Sequence, residues 1–282
     1  MINNGIVLIN KPEGISSNAV VNIVKRVLGA KKCGHLGTLD LEGAGLLPVT
    51  VNSATRLFDY FLKKDKTYQT TFVFGIETDT YDTSGQIIKQ MQCDIKTEDL
   101  EKAIKQMIGK YLQMPPIYSA KKVGGKVAYK EALKGNALEL KPKEVEIYDF
   151  KILEKIDKNV FRFEISCSSG TYIRSIAHDL GEKLSTYSSM QSILRTRCGG
   201  FYLKDSFSLD DVKEGNFNII PCEDVFDFEE FVLNKNQVSK ILNGQILNVE
   251  KANGVYKLFD KDLFLGLGEV EDGNLKFKLR LV

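Results

Sequence analysis

Residues 34–48 of this 282-residue chain have the sequence GHLGTLDLEGAGLLP. Residues 34–45 contain four glycines and follow neither a helical nor a strand pattern, so a loop is predicted. Asp40 is the one acid in residues 34–40. Glycine lets a backbone approach a ligand closely, and a carboxylate is a competent nucleophile in covalent catalysis. An Asx turn or a helix cap is a commoner role for such an aspartate, so this segment alone leaves both roles open.

The segments around this loop alternate irregularly between helical and strand patterns. Ser16 or Ser17 can cap a helix whose apolar residues keep helical spacing, and Gly29 closes it. Helices are also predicted at residues 53–62, 98–108 (capped by Thr97) and 172–184, and strands at 6–9, 68–74, 144–153 and 160–167. A hairpin or tight turn is predicted around Gly124-Gly125. The absence of a regular strand–helix–strand period predicts an α+β fold with a mixed sheet.

The carboxyl-terminal part of the chain differs in composition. An acidic stretch at residues 222–230 follows Pro221, and a short helix at 235–242 precedes several short strands up to Val282. Roughly fifty residues of this kind predict a small β-rich domain. We therefore expect a large domain over residues 1–230 and a small one over 231–282.

Composition excludes several classes of protein. The 43% hydrophobic and 27% charged content is ordinary for a globular protein. Residues 1–10 show no signal-peptide pattern and no run is long enough to cross a bilayer, so a cytoplasmic protein is expected. The five cysteines are scattered, and Cys33 with His35 lacks a second ligand pair, which argues against zinc. Nucleotide-binding glycine motifs and a serine-hydrolase elbow are absent, so no cofactor and no metal are expected.

The net charge is only +2, but the charges are segregated along the chain. Residues 102–130 contain seven lysines and no acid, and residues 14–39 and 183–204 are also basic without an acid. Such segregation fits a surface that binds the phosphates of a nucleic acid, and it fits separate solvated faces equally well.

Two further residues are candidates for the same site. Arg174 lies one turn into a predicted helix and could bind a carboxylate through a bidentate pair of hydrogen bonds. A surface arginine paired with Asp179 or Glu182 is the ordinary alternative. Tyr68 lies in a predicted strand, where a tyrosine is more often a packing residue than a catalytic one.

Taken in order, these segments resemble the TruB family, the bacterial tRNA pseudouridine-55 synthases. The matching segments are residues 5–14, 34–48, 66–68, 75–82, 115–120, 170–176 and 193–197. The departures from residues common in the family are Leu36, Leu41, Gly43, Ala44, Leu194 and Gly200. None of them removes a residue of catalytic type. The fine shape of the loop and one phosphate contact are where we expect this chain to differ from the family.

The resemblance implies a pseudouridine synthase fold, with a mainly antiparallel central sheet flanked by helices and a small PUA-like RNA-binding domain. It implies that Asp40 attacks the T-loop uridine of tRNA covalently after the base is flipped out, with Arg174 paired to it. Tyr68 would stack on the base and help remove the C5 proton. His35 would fill the gap in the RNA loop, while Tyr172 and Ile193 line the pocket. The lysines of residues 102–130 would bind phosphates, and a monomer is the family expectation.

Two alternatives remain at this stage. A guide-RNA-dependent relative that acts on ribosomal RNA would share the residues around Asp40, but such chains usually carry a longer amino-terminal extension and a basic tail. A non-catalytic RNA-binding or RNA-folding protein would keep the scaffold and lose the reactive set. The presence of Asp40, Tyr68 and Arg174 favours the enzyme.

Overall fold

The computed structural model describes residues 4–62, 64–118, 122–123, 126–127 and 140–282. The strands in these residues are β1 (Gly5–Lys11), β2 (Cys33–His35), β3 (Ala44–Val51), β4 (Lys66–Phe74), β5 (Ile76–Thr78), β6 (Ile87–Gln90), β7 (Gly109–Gln113), β8 (Lys122–Val123), β9 (Lys126–Val127), β10 (Lys143–Asp157), β11 (Val160–Cys167), β12 (Ser188–Cys198), β13 (Phe201–Tyr202), β14 (Ile220–Pro221), β15 (Glu230–Val232), β16 (Leu247–Asn248), β17 (Gly254–Asp260), β18 (Leu263–Glu271) and β19 (Asn274–Arg280). The helices are α1 (Ser17–Val27), α2 (Phe58–Leu62), α3 (Thr97–Lys105), α4 (Ile173–Lys183), α5 (Leu209–Glu214) and α6 (Lys235–Leu242). Short 3-10 helices span Asn52–Leu57, Leu203–Asp205 and Glu223–Val225.

The central sheet has the strand order β14-β1-β3-β12-β4-β11-β10-β7, with β2 paired to β3 and β13 to β12. Its pairings are antiparallel apart from that between β3 and β12, which is parallel. The prediction of a mixed, mainly antiparallel sheet is confirmed. The strands β8 and β9 pair in an antiparallel manner, and the hairpin or tight turn predicted at Gly124-Gly125 lies outside the described residues.

The parallel pairing of β3 with β12 depends on a glycine. Gly45 pairs with Arg195 and has φ +100°, a region that favours glycine over other residues. A Cβ atom at Gly45 would lie 2.5 Å from the main-chain oxygen of Arg195, closer than any real contact. Because β12 also pairs with β4, this close approach draws the loop that precedes β3 towards the middle of the sheet.

The helix boundaries agree with the sequence pattern at α1 and differ at α3. The Ser16 hydroxyl accepts a hydrogen bond from the N–H of Ala19, and Gly29 follows α1 with φ +57°. The prediction that Thr97 caps α3 is wrong, because the cap position is Lys96 and Thr97 is the first helical residue. Tight i→i+3 bonds then end α3 at Lys105, before residue 108. No helix within the described residues is both long and apolar enough to span a membrane.

A second sheet, in the order β15-β17-β18-β19-β16, forms the small β-rich carboxyl-terminal unit and confirms that prediction. It has an apolar cluster of its own around Leu258, Leu265 and Leu275. A further cluster joins the two sheets, because Leu46 of β3 and Phe264 of β18 belong to the same buried group. We propose a domain boundary between residues 230 and 231, one residue after β15, the first strand of the second sheet, begins at Glu230.

Candidate active site

Residues 36–43 form the loop between β2 and β3, and apolar side chains fix it on two sides. Leu36 is buried in the cluster between the sheets, and Leu39 is buried in the cluster that includes α1. The Ser17 hydroxyl donates to the carbonyl of Leu39 and accepts from its N–H, both at 2.9 Å. The Asp40 side chain follows these anchors and is 55% exposed. The loop thus holds Asp40 in place and leaves its carboxylate accessible.

Two buried cations bind main-chain oxygens in and beside this loop. Arg195 is 1% exposed and donates to the carbonyl groups of Gly37 (3.0 Å), Thr38 (3.5 Å) and Leu46 (2.7 Å). Lys11 is fully buried and donates to the carbonyl of Leu41 at 3.3 Å, and burial lowers the pKa of Lys11. Sequence reasoning assigned no role to either cation, although both lie inside segments that carry the family resemblance.

Arg174 lies at the second position of α4, and its side chain is 8% exposed. Its Nη2 atom lies 3.0 Å from Oδ2 of Asp40, and its Nη1 atom lies 3.4 Å from Oδ2 of Asp82. The same two nitrogens donate to the carbonyl groups of Tyr118 and Thr80, at 3.0 and 3.2 Å. The alternative of a surface arginine paired along its own helix is wrong, because α4 directs the guanidinium inward between two carboxylates.

Asp82 is a member of this site that sequence reasoning did not single out. Its Oδ1 atom accepts hydrogen bonds from the Thr80 hydroxyl at 2.8 Å and from the N–H of Ser84 at 3.1 Å, which leaves Oδ2 facing Arg174. Asp82 is the last residue of segment 75–82, which resembles the family. That resemblance was the sequence signal that could have identified it, but no role was assigned to Asp82. Arg174 therefore bridges two carboxylates that come from different loops.

Tyr68 lies in β4, opposite Ile165 of β11 and Arg195 of β12. Its side chain is 9% exposed. Burial raises the pKa of Tyr68, and the guanidinium of Arg195, which is hydrogen-bonded to the phenol, opposes this rise. The Tyr68 side chain is consequently a protonated phenol at neutral pH.

One pocket of about 320 Å³ is lined by Asp40, Tyr68, Tyr172, Arg174 and Ile193. The structure therefore brings together five of the six site residues predicted from the sequence. They come from the loop before β3, from β4, from the start of α4 and from β12. The volume falls at the lower end of the range for small-ligand pockets, about 300–1,000 Å³. A pocket of this size has room for one small ligand.

His35, the sixth predicted residue, is placed differently. It ends β2 opposite Val49 of β3 and is not among the residues that line the pocket. Its Nδ1 atom is buried and has no hydrogen-bond partner within the part of the chain that the structure describes. Burial, together with the charge of Arg195, lowers the pKa of His35, so the ring is neutral at pH 7.

A group of titratable side chains surrounds His178 on α4. Its Nε2 atom lies 3.6 Å from a carboxylate oxygen of Glu77, and its ring lies 4.2 Å from that of Tyr81. Burial lowers the pKa of His178, but the hydrogen bond with Asp179 and the nearby carboxylates outweigh burial, so the pKa is raised. His178, Asp179 and Glu182 lie close enough together to hold a cation, an arrangement that is common without one. The expectation of a metal-free protein therefore stays a prediction.

Comparison with known families gives two matches along the chain. The model for the TruB family pseudouridylate synthase (N-terminal domain) matches residues 25–173, and that for the pseudouridine synthase II TruB C-terminal domain matches residues 230–281. The tRNA pseudouridine synthase B of Caldanaerobacter subterraneus subsp. tengcongensis is 36% identical over 98% of both chains. The enzyme of that name from Aquifex aeolicus is 35% identical over 99% of this chain and all of the relative, and that from Clostridioides difficile is 38% identical over 96% of each.

Solved structures show the same fold at lower identity. A chain in the structure of an H/ACA RNP bound to a substrate RNA containing 2'-deoxyuridine has a TM-score of 0.70 and 21% identity, over 99% of this chain and 85% of that one. A chain in the archaeal box H/ACA sRNP Nop10-Cbf5 complex has the same TM-score and identity, over 99% and 86%. Because the first family model alone spans more than half of its residues, this chain belongs to the TruB family of pseudouridylate synthases, which are isomerases.

Proposed function

We propose that this chain isomerises the T-loop uridine at position 55 of tRNA to pseudouridine, with Asp40 as the covalent nucleophile. One observation carries the proposal: a half-exposed Asp40 carboxylate is held 3.0 Å from the buried guanidinium of Arg174 in a nucleoside-sized pocket with an aromatic wall. The relatives are named tRNA pseudouridine synthase B, which supports tRNA as the substrate.

The isomerisation breaks the bond between C1′ and N1, forms a bond between C1′ and C5, and moves one proton from C5 to N1. Nothing is oxidised or reduced, and no activated donor is required. Asp40 supplies a covalent link while the base turns, whether its carboxylate attacks the uracil ring or the ribose. Arg174 fixes the direction of that carboxylate through a charge-assisted hydrogen bond.

The target base has to leave its stack before it can reach Asp40. Extrusion of a nucleotide costs a few kcal/mol, and stacking on an aromatic side chain returns about 1–3 kcal/mol per base. We assign the stacking role to Tyr68, with Tyr172 and Ile193 as the remaining walls of the pocket. His35, a neutral ring beside the loop, fills or braces the gap that the flipped nucleotide leaves in the RNA.

Contacts with the rest of the RNA fall to basic side chains and to the small carboxyl-terminal domain. Part of the lysine-rich segment 102–130 lies outside the described residues. Within the described part, the side chains of Lys102 and Lys110 are exposed. Their Nζ atoms lie 3.3 and 3.9 Å from carboxylate oxygens of Asp99 and Glu144, respectively. Exposed ion pairs of this kind contribute about 0–1 kcal/mol, so RNA phosphates can replace the carboxylates. We propose that the enzyme acts as a monomer in the cytoplasm, where tRNA is found.

The two alternatives have less support. The chains of the H/ACA structures share the fold at 21% identity, whereas the tRNA enzymes are 34–38% identical over nearly the whole chain. A non-catalytic RNA-binding protein has no need for Asp40, Tyr68 and Arg174 to meet in one accessible pocket, as they do here.

The test is incubation of the purified protein with an unmodified tRNA transcript, followed by carbodiimide-dependent primer arrest. We expect one new arrest, at the T-loop uridine. Asp40→Asn should remove the arrest and keep salt-dependent tRNA binding. Glu42→Gln, which changes an exposed carboxylate of the same loop, should keep both. A folded protein that binds tRNA and gives no arrest would contradict the proposal. An arrest at another uridine would overturn the assigned position alone.

A further inference from the structure

Arg195 is a buried cation that the proposed function leaves without a role. Its side chain is 1% exposed, and no carboxylate in the described ranges forms an ion pair with it. Its main-chain acceptors are the three carbonyl groups given above. A buried charge without a counter-charge is costly, and main-chain oxygens offset only part of that cost. The position of this charge therefore points to an anion that forms beside it.

Tyr68 is the group that can become that anion. Arg195 and Tyr68 are cross-strand partners on β12 and β4, both line the pocket, and the guanidinium is hydrogen-bonded to the phenol. Arginine has donors and no acceptor, so the phenolic oxygen accepts this hydrogen bond. The phenolic proton then remains available to a group in the pocket.

The surroundings leave Arg195 as the cation in contact with the phenol. The other titratable groups that face the phenol or share its pocket are Cys167, Cys198, Lys66, Asp40, Tyr172 and Arg174. The charge of Arg174 is shared between two carboxylates, and Lys66 donates to the Ser169 hydroxyl at 3.1 Å. Burial raises the pKa of the Cys167 thiol, which stays uncharged at neutral pH.

We propose that Arg195 is a positioning residue that stabilises a transient Tyr68 phenolate during a two-step proton transfer. This inference rests on the proposed function. In the first step the phenol donates its proton to N1 of the base released from C1′. C5 then bonds to C1′, and the Asp40 carboxylate leaves: from C1′ as this bond forms if it had attacked the ribose, or from C6 in the second step if it had attacked the ring. In the second step the phenolate takes the proton from C5. The electron pair of the C5–H bond then forms the C5=C6 double bond. N1 gains one proton, C5 loses one, and the phenol is restored.

Burial of Tyr68 suits such a transfer. The resting side chain is a phenol with a proton to donate, which a resting phenolate would lack. The same burial would make the intermediate phenolate costly in the absence of a cation. Arg195 supplies that cation from a strand fixed by its pairing with both β3 and β4.

The first test needs no activity and no RNA. 3-Fluorotyrosine is placed at position 68 of the full chain, and its ionisation is followed by fluorine NMR. We expect the pKa of this phenol to rise by about one pH unit or more in Arg195→Met and by less in Arg195→Lys. Arg197→Met is the matched control, because Arg197 donates to the Thr67 hydroxyl, and it should leave the titration unchanged. An identical titration with and without the Arg195 charge would overturn the inference, whatever the enzyme's substrate.

The second test separates the charge of Arg195 from its contacts with the loop. In single-turnover reactions with tRNA, Arg195→Met should be slower by about 100-fold or more, since proton transfer typically contributes 10²–10⁴-fold. Arg195→Lys should stay within about tenfold of the parent, because it keeps the charge. A lysine cannot reproduce the forked contacts with Gly37 and Thr38, so equal losses in the two variants would show a structural role and overturn the inference. Arg195→Gln replaces Arg195→Met if the latter does not fold, with circular dichroism as the check.

Discussion

Replacing Ser17 by alanine tests how the loop that carries Asp40 is held. Ser17 is 3% exposed, and its hydroxyl satisfies both the N–H and the carbonyl of Leu39 at 2.9 Å. Neither of these two main-chain groups has another hydrogen-bond partner among the described residues. The substitution therefore leaves one donor and one acceptor unpaired beside a leucine that is itself buried.

The expected cost follows from these two groups. A buried polar group left without its partner costs about 1–3 kcal/mol, so the loss of both hydrogen bonds should lower the free energy of unfolding by about 2–6 kcal/mol. The effect on catalysis should be larger than stability alone implies, because Leu39 precedes Asp40. A displacement of about 1 Å in a reacting group can cost 10²-fold in rate, so we expect a single-turnover rate lower by about 10–100-fold.

The neighbouring serine supplies the control. Ser16 caps α1 through the N–H of Ala19, and its hydroxyl forms no hydrogen bond with the loop among the described residues. Ser16→Ala should cost about 1 kcal/mol, the usual cost of losing an N-cap, with an unchanged single-turnover rate. Guanidinium unfolding and single-turnover pseudouridine formation on a tRNA transcript would measure both effects. Equal destabilisation by the two variants, or a Ser17→Ala enzyme of parental rate, would refute the reasoning.

Three further predictions concern the network around the pocket. Asp82→Asn should slow single-turnover conversion by about tenfold or more and leave the affinity for tRNA unchanged. The reason is that Arg174 loses one of its two charged partners and is oriented less tightly. A single-turnover rate equal to that of the parent would contradict this prediction. Gly45→Ala should lower the free energy of unfolding by about 2 kcal/mol or more. Gly45 has a positive φ, and an added Cβ atom would clash with the main chain of Arg195. A variant as stable as the parent in guanidinium would contradict this prediction. Because the pKa of His178 is raised in the folded protein, protonation of its ring stabilises the fold. This stabilisation should be fully present below the pKa of histidine in the unfolded chain, about 6.5, and should be lost as the pH rises through the pKa of His178 in the folded protein. Unfolding free energies from pH 5.5 to 8.5 for the parent and His178→Gln would measure that slope, which should vanish in the variant.

Much of the local structure was predictable because it depends on neighbouring residues. The serine before α1 and the glycine after it set the ends of that helix, and both were found where the pattern placed them. The predicted cap of α3 was wrong because Thr97 forms no capping hydrogen bond. A threonine at such a position can form this bond, but its residue type does not ensure that it does. The family was likewise predictable, since its motifs occur in order and each is a local signal.

Three central residues of the candidate site were predictable from the sequence, whereas other members and the contacts between them were not. Sequence supplied Asp40, Tyr68 and Arg174 as residue types in motifs, but it gave no sign that Arg174 would bridge a second carboxylate, Asp82. It also gave no sign that Arg195 would be buried next to Tyr68. A cation in a strand pattern reads equally well as exposed or buried, because its burial depends on what the neighbouring strands place around it.

The sequence by itself determined the strands β1, β4, β10 and β11, most of the helices, the α+β class, the small β-rich carboxyl-terminal unit and the family, but not the strand β3. All of these are encoded in residue patterns that extend over a few turns or strands. Only the tertiary structure decided which distant segments meet. The parallel pairing of β3 with β12 joins strands far apart in the chain, and no pattern within either strand specifies its partner. That pairing, together with the inward direction of the Arg174 side chain on α4, places Asp40, Tyr68 and Arg174 around one pocket. It also places Arg195 beside the phenol of Tyr68.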